Sequence, residues 1–183
     1  EKLLKGLGLK SGLFTILVIG GGFGVGPIEE IVRIAAGVSK PAQIVVICGH
    51  NEELMKKVAA LMAGSKAAIK PMGFVDNVYD FMAASDILIS KSGGITVTES
   101  LIKELPMVVI SPIPGQETRN SDFLVRHNAA FRLNDISALK GLLEDIISEP
   151  KRIEKVKEAI RLIKAPRACF DIAELAVELC GKG

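Results

Sequence analysis

The sequence predicts an α/β fold, a Rossmann-like, doubly wound parallel sheet, from two observations. Short apolar runs rich in β-branched residues alternate with longer amphipathic segments along the 183 residues. Several runs are continuously apolar, which is typical of strands that are buried on both faces of a parallel sheet. Repeated alternation of strands and helices favours a sheet with helices on both faces.

The strand predictions follow the apolar runs in chain order. FTILVI, IVVIC and PMVVI are continuously apolar or nearly so, and DILIS resembles them after its first residue. The last run is weaker because it contains an arginine. We predict strands at residues 14–19, 44–48, 67–72, 86–90, 106–110 and 129–133.

Helices are predicted between the strands and along the tail. Pro27 suits the first position of a helix, and Asn51 suits the N-cap of the next one. In the tail, Ile153, Val156 and Ile160 recur at helical spacing. We predict helices at residues 28–38, 52–63, 78–84, 96–103, 122–126, 137–148, 151–164 and 168–180.

Composition excludes several classes of function. Basic residues exceed acidic ones by 23 − 21 = 2, and aromatic residues make up 4% with no Trp. The near-neutral net charge predicts no overall electrostatic attraction for nucleic acid or membrane. The low aromatic content disfavours stacking of single-stranded nucleic acid on the protein. The three cysteines form no CxxC pair, and Cys48 lies in an apolar run, so we expect a reduced, cytoplasmic protein without a structural metal. No stretch approaches the roughly 20 apolar residues that span a bilayer.

Two glycine-rich loops predict the binding site. Ligands of doubly wound sheets bind beyond the carboxyl ends of the strands, at the switch point between the two halves. If the strand order is 3-2-1-4-5-6, the loops after the first and fourth strands face each other there. Those loops are GGGFGVG, residues 20–26, and KSGG, residues 91–94.

The first loop offers a backbone without Cβ atoms, which a ligand can approach closely. It is not a P-loop, because Pro27 stands where lysine is needed, and it does not match GxGxxG. Glu29 and Glu30 open the following helix and disfavour a diphosphate directly on it. An ordinary turn from strand to helix remains the alternative.

The second loop places Gly93 and Gly94 before a helix whose first amides can bind phosphate. Glu99 lies one turn further, within reach of a sugar diol. Thr96 and Glu99 also have the spacing of a capping box, and the residues leave both interpretations open.

The third loop, SPIPGQETRNS, presents amide and carboxylate groups at the same edge of the sheet. Such groups bind sugar hydroxyls, although an ordinary Pro/Gly turn is equally compatible. His50 and His127 have no acid partner at useful spacing and are interpreted as surface or capping residues. Residues 151–167 carry seven basic and two acidic residues, which predicts either a solvated helix face or a patch for anionic lipid.

At these residues the sequence resembles a known family. GGGFGVGPIEE, ICGHNEEL, MGFVDNVYDFMAASDILISKSGGITVTESL and PIPGQETRNSDFLV are similar to the C-terminal half of monogalactosyldiacylglycerol synthases and processive diacylglycerol glucosyltransferases. These enzymes are relatives of the peptidoglycan N-acetylglucosaminyltransferase. The resemblance implies the C-terminal half of a GT-B fold and an inverting transferase. It also implies a UDP-sugar donor, a diacylglycerol acceptor and no further cofactor.

The resemblance also implies residue roles. Phe74 and Val75 would face uracil, and Glu99 would hold the ribose hydroxyls. Gln116 and Glu117 would contact the donor hexose. The diphosphate site would be lined by Ser92, Gly93, Gly94 and Thr96, with Asn120 near the phosphates and Gly22 and Gly24 at the border of the cleft. Ser92 departs from the family pattern, in which Ala or Pro is more frequent.

Residues 1–12 stand where the family has an acceptor-binding N-terminal domain, so we expect that domain to have been excised from a longer protein or to be a separate chain, and we favour excision. We expect residues 1–12 to be a residual interdomain linker, residues 13–150 to form the UDP-sugar-binding domain, and residues 151–183 to form helices that pack on it. The catalytic base is expected outside this chain, which alone would bind donor without turnover. A peripheral position at the inner face of the membrane is an accompanying expectation. The alternatives are an enzyme that uses UDP-N-acetylglucosamine, as transferase or epimerase, and a nucleotide-binding subunit that needs a partner chain.

Overall fold

The computed structural model describes residues 1–21, 26–110 and 112–181. Within those ranges the strands form one six-stranded sheet in the order β3-β2-β1-β4-β5-β6, and all neighbouring strands are parallel. The predicted fold class is confirmed, and the strand order is the one that the prediction of the binding site assumed. The strands are β1 (Phe14–Ile19), β2 (Ala42–Ile47), β3 (Ala68–Met72), β4 (Ile87–Ser90), β5 (Met107–Ile110) and β6 (Ala130–Leu133).

Helices connect the strands and extend the chain at both ends. The first, α1, has no counterpart among the predicted helices, and its Leu4 packs against the core together with Leu7 just beyond its end. The helices are α1 (Lys2–Gly6), α2 (Ile28–Ala36), α3 (Glu52–Met62), α4 (Val78–Ala83), α5 (Gly94–Ile102), α6 (Gln116–Arg126), α7 (Leu139–Ser148), α8 (Lys151–Ile163) and α9 (Ala168–Cys180), with a 3₁₀ turn at Ile136–Ala138.

The central strands are buried on both faces, which explains their continuous apolar runs. In β1, Ile16 and Val18 belong to one core layer, whereas Leu17 and Ile19 belong to the other. Successive side chains of a strand point to opposite faces, so a strand covered on both sides has no polar face. Cys48 lies in the first layer and is fully buried, as predicted. Burial raises the pKa of its thiol, because the thiolate would be desolvated.

Three helix starts differ from the sequence prediction or refine it. Pro27 is the N-cap of α2 rather than its first residue, and α5 begins at Gly94, ahead of Thr96. The helix α6 begins at Gln116, directly after Gly115 in a left-handed conformation (φ 108°), rather than at residue 122. The first turn of α6 is polar, so no apolar stripe indicated its beginning. Asn51 caps α3 as predicted, since its side chain accepts a hydrogen bond from the Leu54 amide at 2.8 Å.

The last two helices differ in how they contact the domain. Ile153, Val156 and Ile160 of α8 are buried against the core. By contrast, none of the described residues of α9 is buried, and Phe170 and Val177 remain 60% and 74% exposed. The expectation that the C-terminal helices pack on the domain therefore describes α8 and not α9. Residues 168–180 have helical periodicity, but periodicity does not specify which surface a helix contacts.

Asp86 joins β1 and β4 at the amino edge of the sheet. Its carboxylate accepts a hydrogen bond from the Thr15 amide at 2.7 Å, and its own amide donates to the Thr15 carbonyl at 2.9 Å. Burial raises the pKa of Asp86, and this effect outweighs the opposing hydrogen bond and the nearby Lys157 charge. The folded chain therefore holds this proton to a higher pH than the unfolded chain does.

We expect Asp86→Asn to stabilise the chain at neutral pH, because an amide oxygen can still accept from Thr15 without carrying a buried charge. A raised folded-state pKa means that wild-type stability decreases as pH rises through the window above the ordinary aspartate value. The advantage of the variant should grow from about pH 4 upwards and then level off. Urea denaturation of both proteins across this range checks it, and an advantage that shrinks with rising pH would contradict it.

Candidate functional site

The loops after β1 and β4 approach each other at the carboxyl edge of the sheet, as the topology predicts. A Cβ atom built on Gly26, at the end of the first loop, would lie 3.6 Å from Cε of Lys91. Lys91 directly follows β4 and is half-buried. Gly22 and Gly24, which the resemblance assigns to the border of the cleft, lie outside the described residues.

The first turn of α5 has no side-chain cap. Gly93 is the N-cap residue and Gly94 the first helical residue, and the first intrahelical bond runs from the Val97 amide to the Gly93 carbonyl at 2.9 Å. Thr96 lies inside the helix and is not its N-cap, so the interpretation of Thr96 and Glu99 as a capping box is wrong. The amides that precede Val97 in the helix consequently lack the carbonyl partners of a regular turn and can bind an anion.

The start of α6 is held against the loop before α5. The Ser92 hydroxyl donates to the Glu117 carbonyl at 2.7 Å, and the Asn120 amide donates to the Ser92 carbonyl at 2.8 Å. A Cβ atom on Gly94 would lie 3.7 Å from Nε2 of Gln116 and 4.0 Å from Nδ2 of Asn120. The structure therefore brings the second and third loops together, and both amide side chains lie beside the uncapped helix turn.

The side chains predicted to bind the ligand differ in how far they are already engaged. One carboxylate oxygen of Glu117 accepts from the Ile113 amide at 2.8 Å, and the Ser92 hydroxyl is fully buried. Gln116 and Glu99 are exposed. Within residues 1–21, 26–110 and 112–181, the Glu99 carboxylate has no hydrogen-bond or ion-pair partner. Glu99 is thus available to a ligand, whereas Ser92 and Glu117 mainly connect the loops.

Phe74 and Val75 follow β3, at the same edge but away from α5. Val75 packs against the second core layer, whereas Phe74 is 57% exposed. The Phe74 ring stacks on His50, with 4.5 Å between ring centroids and 15° between ring planes. β3 and β4 are separated by three strand spacings, or about 14 Å. A single ligand that contacts Phe74 and the start of α5 must therefore lie along this edge.

Two residues of this edge were not among the predicted site residues. In the sequence, Lys91 is only the first residue of KSGG, and nothing there indicates a binding role. It lies close to Gly26 because β1 and β4 are neighbours in the sheet. His50 was interpreted as a surface residue because no acid partner lies at useful spacing. Its partner is an aromatic ring 24 positions away, at the end of the neighbouring strand.

The opposite edge of the sheet also has a groove, of about 1030 Å³, between the ends of α2 and α3 and the beginnings of β1, β2 and β3. Lys10, Lys40 and Lys66 line it together with Arg33. Helix carboxyl ends carry negative partial charge and disfavour an anion there. We therefore place the candidate site at the carboxyl edge, where the uncapped amino end of α5 can bind an anion. No cluster of three metal-ligating side chains occurs in the described part of the chain.

Comparison with known proteins identifies the family. The profile of the Glycosyltransferase family 28 C-terminal domain matches residues 15–168. Processive diacylglycerol beta-glucosyltransferase from Bacillus cereus is 30% identical over 160 residues, which cover 87% of this chain and 41% of the relative. The chain therefore spans less than half the length of this curated relative.

Solved structures show the same fold. MurG from Acinetobacter baumannii superposes with a TM-score of 0.77 at 19% identity, over 94% of this chain and 52% of MurG. Anabaena HepE, solved in complex with UDP-glucose, superposes with a TM-score of 0.67 at 16% identity, over 88% of this chain and 46% of HepE. These likenesses confirm the predicted fold class, a Rossmann-like parallel sheet that corresponds to one half of a GT-B fold. Since the family profile covers most of the sequence, the chain belongs to the glycosyltransferase family 28 C-terminal domain family.

Proposed function

We propose that the chain is the UDP-sugar-binding domain of an inverting glycosyltransferase that transfers a hexose to diacylglycerol. The observation that carries the proposal is the uncapped first turn of α5, which lies beside Gln116 and Asn120. Free helix amides suit a diphosphate, and side-chain amides suit the hydroxyls of a sugar. The name of the Bacillus cereus relative supports the acceptor, and the UDP-glucose bound to HepE supports the class of donor.

In this proposal an acceptor hydroxyl displaces UDP directly at the anomeric carbon. The new bond forms on the opposite side from the breaking bond to the diphosphate oxygen, which inverts the configuration. This chain stabilises the negative charge that develops on the leaving diphosphate, through the amides of α5 and the Lys91 ammonium. The base that takes the acceptor proton is assigned to the acceptor-binding domain, and no cofactor beyond the donor is invoked.

The proposed residue roles follow the order of groups in a nucleotide sugar. Phe74 and the Val75 backbone contact uracil, and Glu99 accepts hydrogen bonds from the ribose hydroxyls. Gln116 and the free oxygen of Glu117 contact the hexose. The diphosphate lies against Ser92, Gly93, Gly94 and Thr96, with Asn120 close by. The resemblance assigns Gly22 and Gly24 to the border of the cleft.

The proposed acceptor is a lipid, so we propose that the whole enzyme works as a peripheral protein at the inner face of the membrane. The described helices include none with the length and apolar content of a membrane span. In the basic stretch, Arg161 and Lys164 both pair with Glu104, at 2.7 and 2.6 Å, and Arg152 pairs with Asp145 at 3.0 Å. These ion pairs favour a solvated helix face, so lipid contact is assigned to the acceptor-binding domain.

Calorimetric titration of the chain with UDP, with NAD as the control ligand, tests the proposal. We expect micromolar to millimolar affinity for UDP and no heat of binding for NAD. Titration with UDP-glucose, UDP-galactose and UDP-N-acetylglucosamine would then identify the hexose. Equal binding of UDP and NAD, or no binding of UDP, would contradict the assignment of the carboxyl edge as a UDP-sugar site.

A further inference from the structure

A stacked pair of rings lies at the carboxyl ends of two neighbouring strands. β2 is followed, after Cys48, by Gly49 and His50, and β3 is followed directly by Gly73 and Phe74. Ile47 pairs with Met72 in parallel register, so the two Gly-aromatic dipeptides leave the sheet as neighbours with an offset of one residue. A Cβ atom on Gly73 would lie 3.8 Å from the Gly49 carbonyl oxygen. The His50 and Phe74 rings are nearly parallel, at 15°, with 4.5 Å between centroids.

The backbone determines where the His50 ring lies. The Asn51 amide donates to the Cys48 carbonyl at 3.2 Å and closes a tight turn around Gly49 and His50. Gly49 has φ of +60°, a left-handed conformation that glycine adopts without strain. Asn51 then caps α3. His50 is therefore held between a strand end and a helix start, although its side chain is exposed.

The Phe74 ring is held by few contacts with the protein interior. It is 57% exposed, and the His50 ring covers one of its faces. An aromatic side chain with this exposure loses conformational freedom only where a neighbour holds it. A ring held flat from one side leaves its other face open to a planar group, and bases stack on such faces regardless of sequence.

We infer that His50 is a positioning residue for the nucleobase of the donor. It holds the Phe74 ring in the plane on which the base stacks and does not itself contact the reacting atoms. The inference rests on the proposed function, because it presumes that a nucleotide binds along this edge. It assigns to His50 a role that neither a surface nor a capping residue would have.

The test compares variants of His50 in titrations with UDP and with inorganic pyrophosphate, which lacks a base. We expect His50→Ala to weaken UDP binding about 2- to 12-fold, as the loss of one stacked pair predicts. Pyrophosphate, measured by displacement of UDP, should bind both proteins equally. His50→Phe should restore UDP affinity, and His50→Gln, which keeps polarity without a ring, should resemble the alanine variant.

His127→Ala is the matched control. His127 also contacts a phenylalanine ring, Phe123, at 4.6 Å between centroids and 52° between planes, but it follows the far end of α6. Its removal should leave UDP affinity unchanged.

Unchanged UDP affinity in His50→Ala, or no rescue of affinity in His50→Phe, would overturn the inference. The proposed function would stand in that case, provided that the wild-type chain binds UDP. Equal losses for UDP and pyrophosphate would also overturn the inference, since they indicate a general structural effect. If wild type itself fails to bind UDP, the proposed function and the inference are both overturned.

Discussion

Replacing Glu99 with alanine should weaken UDP binding by about 1.5–3 kcal/mol, the range for hydrogen bonds to a charged acceptor. The carboxylate is exposed on α5 and has no partner among the described residues, so its loss removes no internal contact found there. Removing a negative charge would by itself favour an anionic ligand. A loss of affinity would therefore have to come from local hydrogen bonds to the ribose. Titration calorimetry with UDP measures the effect.

Two variants make the Glu99 result specific. Glu99→Gln keeps one acceptor oxygen without the charge and should show a loss between wild type and alanine. Thr98→Ala removes the neighbouring exposed side chain of the same helix, whose hydroxyl only donates to the Gly94 carbonyl at 2.9 Å. This control should bind UDP as wild type does. Wild-type affinity in Glu99→Ala would exclude the ribose role, and the helix cap at Gly93 leaves the carboxylate no capping role instead.

Ser92→Ala is expected to destabilise the chain by about 1–3 kcal/mol and to weaken UDP binding. The buried hydroxyl donates to the Glu117 carbonyl and, with the bond from Asn120 to the Ser92 carbonyl, connects α6 to the loop before α5. Without the hydroxyl, Gln116 and Asn120 would be held less firmly beside the helix turn. Denaturant unfolding and UDP titration measure the two consequences.

Ser100→Ala provides the comparison for Ser92. Ser100 is equally buried, but its hydroxyl donates to the Val97 carbonyl of its own helix at 2.9 Å. Such bonds back to the preceding turn add little to helix stability. We expect Ser100→Ala to bind UDP normally and to lose less stability than Ser92→Ala. Equal effects of both substitutions would show that the link between α5 and α6 does not depend on the Ser92 hydroxyl.

The sheet was predictable because burial leaves a direct mark on the sequence. A strand that is covered on both faces is apolar at nearly every position. In β1 the residues Ile16, Leu17 and Val18 are fully buried, and Thr15 is the polar exception. Helix starts were less predictable where the first turn is polar, as at Gln116 of α6. There the left-handed conformation of Gly115, rather than an apolar stripe, marks the beginning of the helix.

The sequence by itself determined the parallel sheet and the glycine-rich loops, and these loops lie at the carboxyl edge once the strand order that the structure shows is assumed. Each of these depends on local composition and on general rules of chain topology. Only the tertiary structure decided that Thr96 does not cap α5, that Ser92 is bonded to Glu117 25 residues away, and that His50 stacks on Phe74. The partners of Ser92 and His50 are distant in the chain, so the spacing of residues in the sequence does not reveal them. Tertiary packing therefore determines which of the possible roles each side chain has.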